Sequence, residues 1–345
     1  MTLRQTKLAI TKKKKRRKRI FWFLIFPILL FVSIGTTYGI HLYKKAEKAL
    51  NEAYDDSHGK SDLRNKKVNP KIDNVSILLI GVDGGEKRGF KDLRSDALMV
   101  ATLNEKEKSV KLLSIPRDSY VYIPEVDYST KINHAYKFGE AKASIETIEL
   151  LLDIPIDYYV AVNFEAFMEI IDALEGIEIE VPYTITEQNS KDQAGAITIE
   201  QGLQHLNGEE ALAFARTRKK DTDVERGKRQ QQVIQAILNK AKSVSSLPKY
   251  GSVIEAIGSN MRTNMTFDEM TSFIDYGISG NLDIETLVLT GNDLYLPNNQ
   301  GKMIYYWELD EDVVEQTTNK LKEHLGSETN KHTNSQSSLS TNFHE

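Results

Sequence analysis

Cysteine is absent from all 345 residues, which excludes disulfides, thiolate-bound zinc and thiol nucleophiles. Acidic residues are absent from the first forty positions, which hold ten Lys/Arg. The formal net charge of −4 therefore hides an acidic body: beyond residue 40 there are 35 Lys/Arg against 49 Asp/Glu, a net of −14. A body of that sign argues against general nucleic-acid binding, which relies on Lys and Arg to neutralise phosphates. No Gly-x-Ser-x-Gly, His-Glu-x-x-His, Walker loop or dinucleotide fingerprint is present, so the common hydrolase, metalloprotease and nucleotide-binding signatures are missing. There is no internal repeat.

The N-terminus predicts a membrane anchor. Ile20 to Ile40 is 21 residues without a charge, about 30 Å at helical rise, which matches the hydrocarbon core of a bilayer. An unbroken run of eight basic residues, Lys12 to Arg19, precedes it. The positive-inside rule keeps that end in the cytoplasm and places everything after His41 outside, a single-pass type II topology. A cleaved signal peptide is the rival, but the apolar run is long and no small-x-small cleavage site follows it. The expected organisation is a basic cytoplasmic tail at 1–19 and a transmembrane signal-anchor at 20–40. An extracytoplasmic stalk and loose linker follow at 41–71, an α/β domain at 72–326 and a disordered Ser/Thr/Asn-rich tail at 327–345.

The body alternates strand and helix patterns. Strands are expected at 75–82, 96–103, 110–115, 158–162, 177–181 and 285–290. Helices are expected at 139–152, 164–174, 207–215, 224–243, 266–277 and 310–325. This predicts an α/β fold with a central mixed sheet flanked by helices on both sides.

Seven Lys/Arg fall within residues 216–229. Arg216 and Arg218 are two apart and share a side in an extended segment. Arg226, Arg229 and Gln230 are spaced i, i+3, i+4 and share a face on a helix, with Asp223 placed to cap its start. Guanidinium forks beside a helix N-terminus suit a phosphate or diphosphate, although such a run also fits a solvated basic face. Asp83 ends the first strand and Arg94-Ser95-Asp96 opens the second, and ligands in open α/β folds collect at strand ends. Two carboxylates there suit a hard cation such as Mg²⁺, or Mn²⁺ in its place; an ordinary turn and a strand edge are the plain alternative. Arg117-Asp118 follows the third strand, and His134 lies in Lys131-Ile-Asn-His-Ala-Tyr136.

Ser76-Ile-Leu-Leu-Ile-Gly-Val-Asp83, Arg94-Ser-Asp96, Leu113-Ser-Ile-Pro-Arg-Asp118, Lys131-Ile-Asn-His-Ala-Tyr136, Ile156-Asp-Tyr-Tyr-Val160 and His205-Leu-Asn-Gly-Glu-Glu-Ala-Leu212, followed by Arg216-x-Arg218, together resemble the LytR-CpsA-Psr family of Gram-positive cell-wall enzymes. The resemblance implies a phosphotransferase. It moves a glycopolymer such as wall teichoic acid from an undecaprenyl diphosphate carrier to a sugar hydroxyl of peptidoglycan. By the same resemblance, Asp83 and Asp96 hold Mg²⁺. Arg94, Arg117, Arg216, Arg218, Arg226 and Gln230 bind the diphosphate, with Arg117 and Asp96 nearest the chemistry. A polyprenyl tunnel is implied too, with the apolar faces of 143–152, 164–174 and 233–238 as candidates. Asp96, Asp118, Asp223 and His134 are open as proton acceptors. A pyrophosphatase acting on the same lipid, and a non-catalytic lipid-binding regulator, are the competing functions.

Overall fold

The computed structural model describes residues 44–45, 47–49, 51–83, 90, 93–217, 223–241, 260–278 and 283–326. The anchor expected at Ile20–Ile40, the tail at 327–345 and Arg218 lie outside the described residues. Among the described residues no helix is long and apolar enough to cross a membrane.

In chain order the elements are β1 (Val75–Val82), β2 (Ser95–Asn104), β3 (Ser109–Ser114), β4 (Tyr120–Ile123), β5 (Tyr128–Lys131), α1 (His134–Leu152), β6 (Tyr158–Asn163), α2 (Phe164–Ala173), β7 (Ile177–Val181), β8 (Ile185–Glu187), β9 (Ile197–Ile199), β10 (Gly202–Leu206), α3 (Gly208–Arg216), α4 (Asp223–Ala241), β11 (Met261–Thr263), α5 (Phe267–Ile278), β12 (Asp283–Val288), β13 (Gly291–Pro297), β14 (Met303–Leu309) and α6 (Glu311–Leu325). Six strands form one sheet in the order β11-β6-β1-β2-β3-β12. β1 runs parallel to β6 and antiparallel to β2, and β3 runs antiparallel to β2 and parallel to β12. The sheet is therefore mixed. The C-terminal ends of β1, β3 and β6 and the start of β2 meet at one edge.

Alternation along the strands sends successive side chains to opposite faces. Leu78, Ile80, Val82, Leu98 and Val100 pack into one core with Ile145, Ile148 and Leu152 of α1 and Leu321 and Leu325 of α6. On the other face, Ile77, Met99, Ala101 and Tyr158 meet Ile234 of α4 and Met270 and Phe273 of α5. A third cluster joins α2 and α3 to the two-stranded β7–β10 sheet. Helices thus cover both sides of the sheet, as the sequence predicts.

Two readings need correction. The linker is not loose over its described length. Ala53 and Val68 are buried, and the two carboxylate oxygens of Asp157 accept from Arg64 Nε and Nη2 at 2.8 and 2.7 Å. Residues 51–71 are docked on the domain through such contacts, because a charge-dense segment with a few apolar residues can still find a bidentate anchor. Second, α1 begins at His134 and is broken by non-helical backbone at Gly139 and Glu140, whereas the apolar stripe marks only its second half.

Candidate active site

The edge where the strands end carries the chemistry. β1 and β2 pair Gly81 with Ala97 but Val82 with Ser95, which leaves Asp96 as the extra residue of a β-bulge. Bulges re-aim a side chain, often beside active sites. Here the bulge turns Asp96 into a cleft of about 480 Å³ lined by Asp83, Asp96, Arg117, Glu187, Gln188, Ala213, Arg216, Arg226 and Gln230. Six of the residues chosen from sequence are therefore brought together: Asp83, Asp96, Arg117, Arg216, Arg226 and Gln230.

Arg117 follows β3, and its guanidinium pairs with Asp96. The Arg117 N–H donates to Asp223 Oδ2 at 3.2 Å, and Arg226 Nη2 donates to the same oxygen at 2.9 Å. Asp223 opens α4, so its carboxylate ties the end of β3 to the start of that helix. A Cβ on Gly227 would collide with the Ser114 side chain. Glycine there lets the first turn of α4 come up against the end of β3. Arg226 is only 4% exposed, so its charge stands in a low-dielectric setting at a helix N-terminus, where an anion is favoured.

Arg216 ends α3. That helix starts with a capping box in which Asn207 Oδ1 accepts from the Glu210 N–H and Glu210 accepts from the Asn207 N–H. Its guanidinium lies 4.7 Å from the centre of the Phe164 ring, a cation–π contact that fixes its direction. Thr217 donates to Glu187 at 2.6 Å. Glu187 and Gln188 reach the cleft from β8 and the turn after it. Nothing in their local sequence marks them.

Other choices fall elsewhere. Arg94 is exposed and does not line the cleft; the bulge at Asp96 breaks the alternation that would have aligned the two. Its charge instead acts on His134. Burial, then Arg94 and Lys131, push the His134 pKa down to about 4. Arg229 shares a helix face with Arg226 on paper, yet it is buried and donates to the carbonyls of Phe214 and Thr217 at 3.2 and 2.5 Å. It holds the end of α3 rather than facing the cleft. Of the four residues open as proton acceptors, Asp96 is the one that lines the cleft.

A second cavity of about 240 Å³ opens from the first. The two share Asp96, Arg216 and Gln230. Its walls are apolar: Leu79, Gly81, Ala97 and Met99 of β1 and β2, Val160 and Val162 of β6, Phe164, Phe167 and Ile170 of α2, Leu212 and Ala215 of α3, and Val233, Ile234 and Ile237 of α4. Two of the three apolar faces expected for a lipid tunnel, 164–174 and 233–238, contribute to it. The third, 143–152, does not. α1 packs on the opposite face of the sheet, and a helical stripe reveals that a face is buried without saying against which side of a sheet.

Asp83 and Asp96 present hard oxygen ligands in one cleft, and no histidine lines it. Among the described residues no group of three or more His, Cys, Asp or Glu could hold an ion by itself. The Asp83 and Asp96 oxygens suit Mg²⁺, which takes one or two carboxylates and completes its shell with water and phosphate oxygens.

The LytR_cpsA_psr family matches residues 36–323 of the chain. The polyisoprenyl-teichoic acid–peptidoglycan teichoic acid transferase TagV of Bacillus subtilis (strain 168) is 40% identical over 320 residues, 90% of this chain and 80% of TagV. TagT of the same strain, a transferase of the same description, is 35% identical over 322 residues, 91% of this chain and 98% of TagT. The solved structure of the LytR-CPS2A-psr family protein YwtF (TagT) with bound octaprenyl pyrophosphate lipid is similar at a TM-score of 0.61 and 32% identity, covering 78% of this chain and 97% of that one.

Proposed function

The chain belongs to the LytR_cpsA_psr family, and from that premise we propose that it is a membrane-anchored extracytoplasmic phosphotransferase. It moves an anionic glycopolymer of the teichoic acid class from an undecaprenyl diphosphate carrier to peptidoglycan, forming a phosphodiester. The observation that carries this reading is the opening of the apolar tunnel onto the charged cleft through Asp96, Arg216 and Gln230. A prenyl chain needs the first and a diphosphate the second, and they are joined at the point where the two halves of such a lipid meet.

The steps follow from the residues. The prenyl tail lies among Phe167, Ile170, Val233 and Ile237. Arg216 and Gln230 stand where tail gives way to diphosphate. Arg117 and Arg226 take phosphate oxygens by charge-assisted hydrogen bonds, and Arg218, two residues beyond Arg216, is the further arginine of the set, while Arg94 stands outside it. The acceptor hydroxyl attacks the phosphorus that bears the glycopolymer, the bond to the polyprenyl phosphate breaks, and the departing phosphate leaves against the arginines. Phosphoryl transfer is mostly positioning and neutralisation of charge, which pre-set guanidinium groups supply without reorganising. Asp83 and Asp96 are the residues that would hold Mg²⁺, or Mn²⁺, and the ion would supply further neutralisation of the diphosphate. Asp96, paired with Arg117, lines the cleft and is the acceptor for the hydroxyl proton.

The basic run before Ile20–Ile40 supports an orientation with the body outside, on the side where peptidoglycan lies. The test is direct. Full-length protein in detergent is given a polyprenyl diphosphate-linked teichoic acid polymer and peptidoglycan. Polymer covalently attached to peptidoglycan supports the proposal. Release of free phosphate-ended polymer alone would make the protein a pyrophosphatase, and binding without turnover would make it a lipid-binding regulator.

A further inference from the structure

We propose that the β13–β14 hairpin is the platform on which the acceptor glycan strand lies, with pyranose rings stacked on Tyr295 and Tyr305. This rests on the transferase reading, and it assigns a surface to the acceptor.

The hairpin is rich in aromatic residues, with Tyr295 on β13 and Tyr305, Tyr306 and Trp307 consecutive on β14. Its register pairs Tyr295 with Tyr305 and Leu294 with Tyr306, so the aromatic side chains divide between the two faces. Tyr306 is half-buried, its ring centre 5.0 Å from that of Tyr120 on β4 and 5.8 Å from Lys131 Nζ. Tyr295 and Tyr305 form an edge-to-face pair at 5.5 Å, yet Tyr295 remains 55% exposed. The Tyr305 hydroxyl donates to Asp293 at 3.1 Å. An apolar ring face with polar groups at its rim is the chemistry that holds a sugar: C–H bonds pack on the ring while hydroxyls find donors and acceptors. Tyrosine gives this area at little conformational cost.

The platform is wired to the cleft. The Trp307 backbone N–H donates to the Asp118 carbonyl at 2.9 Å, which fixes the hairpin to the loop after β3. Lys131 Nζ sits 5.6 Å from the centre of the Tyr305 ring and donates to Asp118 Oδ1 at 2.7 Å. Asp118 Oδ2 is 3.7 Å from Arg117 Nε, and Arg117 pairs with Asp96 inside the cleft. These contacts tie the Tyr305 ring to the Arg117–Asp96 pair of the cleft, so a strand lying on Tyr295 and Tyr305 would approach the cleft from the Lys131 side. This also gives Lys131 a role: it neutralises Asp118 and braces the aromatic face. Aromatic side chains also gather at membrane interfaces. However, the hairpin from Gly291 to Leu309 carries one lysine, Lys302, against Asp293 and Glu308, and an anionic lipid surface selects for basic residues. An uncharged glycan backbone fits better.

The experiment uses full-length protein in detergent and soluble, uncross-linked glycan strands of peptidoglycan. KM values for the strands and for the lipid donor are measured separately in the wild type, Tyr295→Ala, Tyr305→Ala and the two Phe variants. Each Ala variant should raise the acceptor KM by about tenfold, as expected for a lost ring contact, with the donor KM unchanged. The Phe variants keep the ring and should stay near wild type. Direct binding of the strands without donor is measured in parallel. If the wild type transfers nothing, the transferase reading fails, while strand binding still reports on the platform. Unchanged acceptor KM and strand binding in the Ala variants would overturn the proposal. So would an Ala variant that binds strands normally but no longer sediments with phosphatidylglycerol vesicles. A purely structural cross-strand pair would lower the melting temperature without moving the acceptor KM. Should Tyr305→Ala fail to fold, the exposed Tyr295→Ala decides alone.

Discussion

The two faces of the central sheet are built from alternate residues of the same strands, yet they end in different states. On the α1/α6 face, Leu78, Ile80, Val82, Leu98 and Val100 are at most 1% exposed and meet α1 and α6 in a closed core. On the other face, Leu79, Gly81, Ala97 and Met99 look into the apolar cavity beneath α2, α3 and α4. Hydrophobicity does not separate the two sets, and Leu79 and Met99 are as large as the residues of the closed face; the difference lies in two small residues. At the mouth, Gly81 and Ala97 stand opposite each other, close enough that a Cβ on Gly81 would lie 3.1 Å from that of Ala97, and Ala215 faces them from α3. Protein interiors normally pack to crystal-like density, so apolar space left open beside charged groups has a use other than stability. One face keeps the fold and the other keeps a vacancy for an apolar chain.

The largest expected effects lie where the vacancy meets the charges. Arg216→Ala and Arg117→Ala should each lower transfer by roughly 10²–10³-fold, the loss typical of removing one preorganised charge-stabilising group, with the fold retained on thermal melting. Asp83→Asn with Asp96→Asn should abolish the dependence of rate on Mg²⁺; an unchanged Mg²⁺ response would show the ion is held elsewhere. The closed face should give the mirror image. Ile148→Ala removes a fully buried side chain and should cost about 2–5 kcal/mol of stability, leaving kcat/KM per folded molecule intact. If Ile148→Ala lost activity without losing stability, or Arg216→Ala did the reverse, the division of labour between the faces would be wrong.

A smaller effect sharpens the comparison. Filling the vacancy with Ala97→Leu or Val162→Phe should raise the KM for a long-chain prenyl donor by roughly tenfold or more, about 1.4 kcal/mol per decade. Melting should change little, since added methylenes enter existing space rather than a full core. A donor with a short prenyl chain should be affected less. Equal inhibition with long and short chains would mean that the substitutions disturb the charged cleft instead.

The chain announces the sheet well and its faces poorly. The near-continuous apolar runs of β1 to β3 are legible as buried strands, and β1 has the expected limits. The site was half-legible: six of the chosen residues share one cleft because strand ends in such sheets converge. The bulge that aims Asp96 into the cleft and leaves Arg94 outside has no glycine on its own strand; Gly81 stands opposite it on β1, and only the pairing register reveals which residue is extra. Arg229 shows the limit of helical spacing, which places a residue on a face without saying what that face meets. Glu187 and Gln188 come from a short hairpin whose strand signal is three residues long. The β13–β14 hairpin is not legible in the sequence because tyrosines on both of its faces blur the polar/apolar alternation by which strands are read.

The smallest expected effect concerns pH and falls on the closed face. His324 of α6 is buried, with its Nδ1 2.8 Å from Thr102 Oγ1 and its Nε2 2.8 Å from Ser109 Oγ. Burial, then Lys111, holds its pKa below the ordinary value, against the pull of Glu107 and Glu285. His134 at the start of α1 is lowered to about 4, chiefly by burial and then by Arg94, Lys131 and Lys137, against Asp118. Both histidines are thus neutral in the fold, while in the unfolded chain they protonate near 6.5. Between those limits the unfolded state binds more protons, so stability rises with pH. The contribution is complete above about pH 6.5 and is lost progressively as the pH falls toward 4. The melting temperature should decline over that window, and His134→Gln with His324→Gln should flatten the decline. Transfer rate per folded molecule should not follow these substitutions, because neither histidine lines the cleft or the apolar cavity. A double variant that keeps the wild-type slope would place the acid-sensitive groups elsewhere. A double variant whose activity per folded molecule shifted with pH would tie the closed face to the chemistry it is argued only to support.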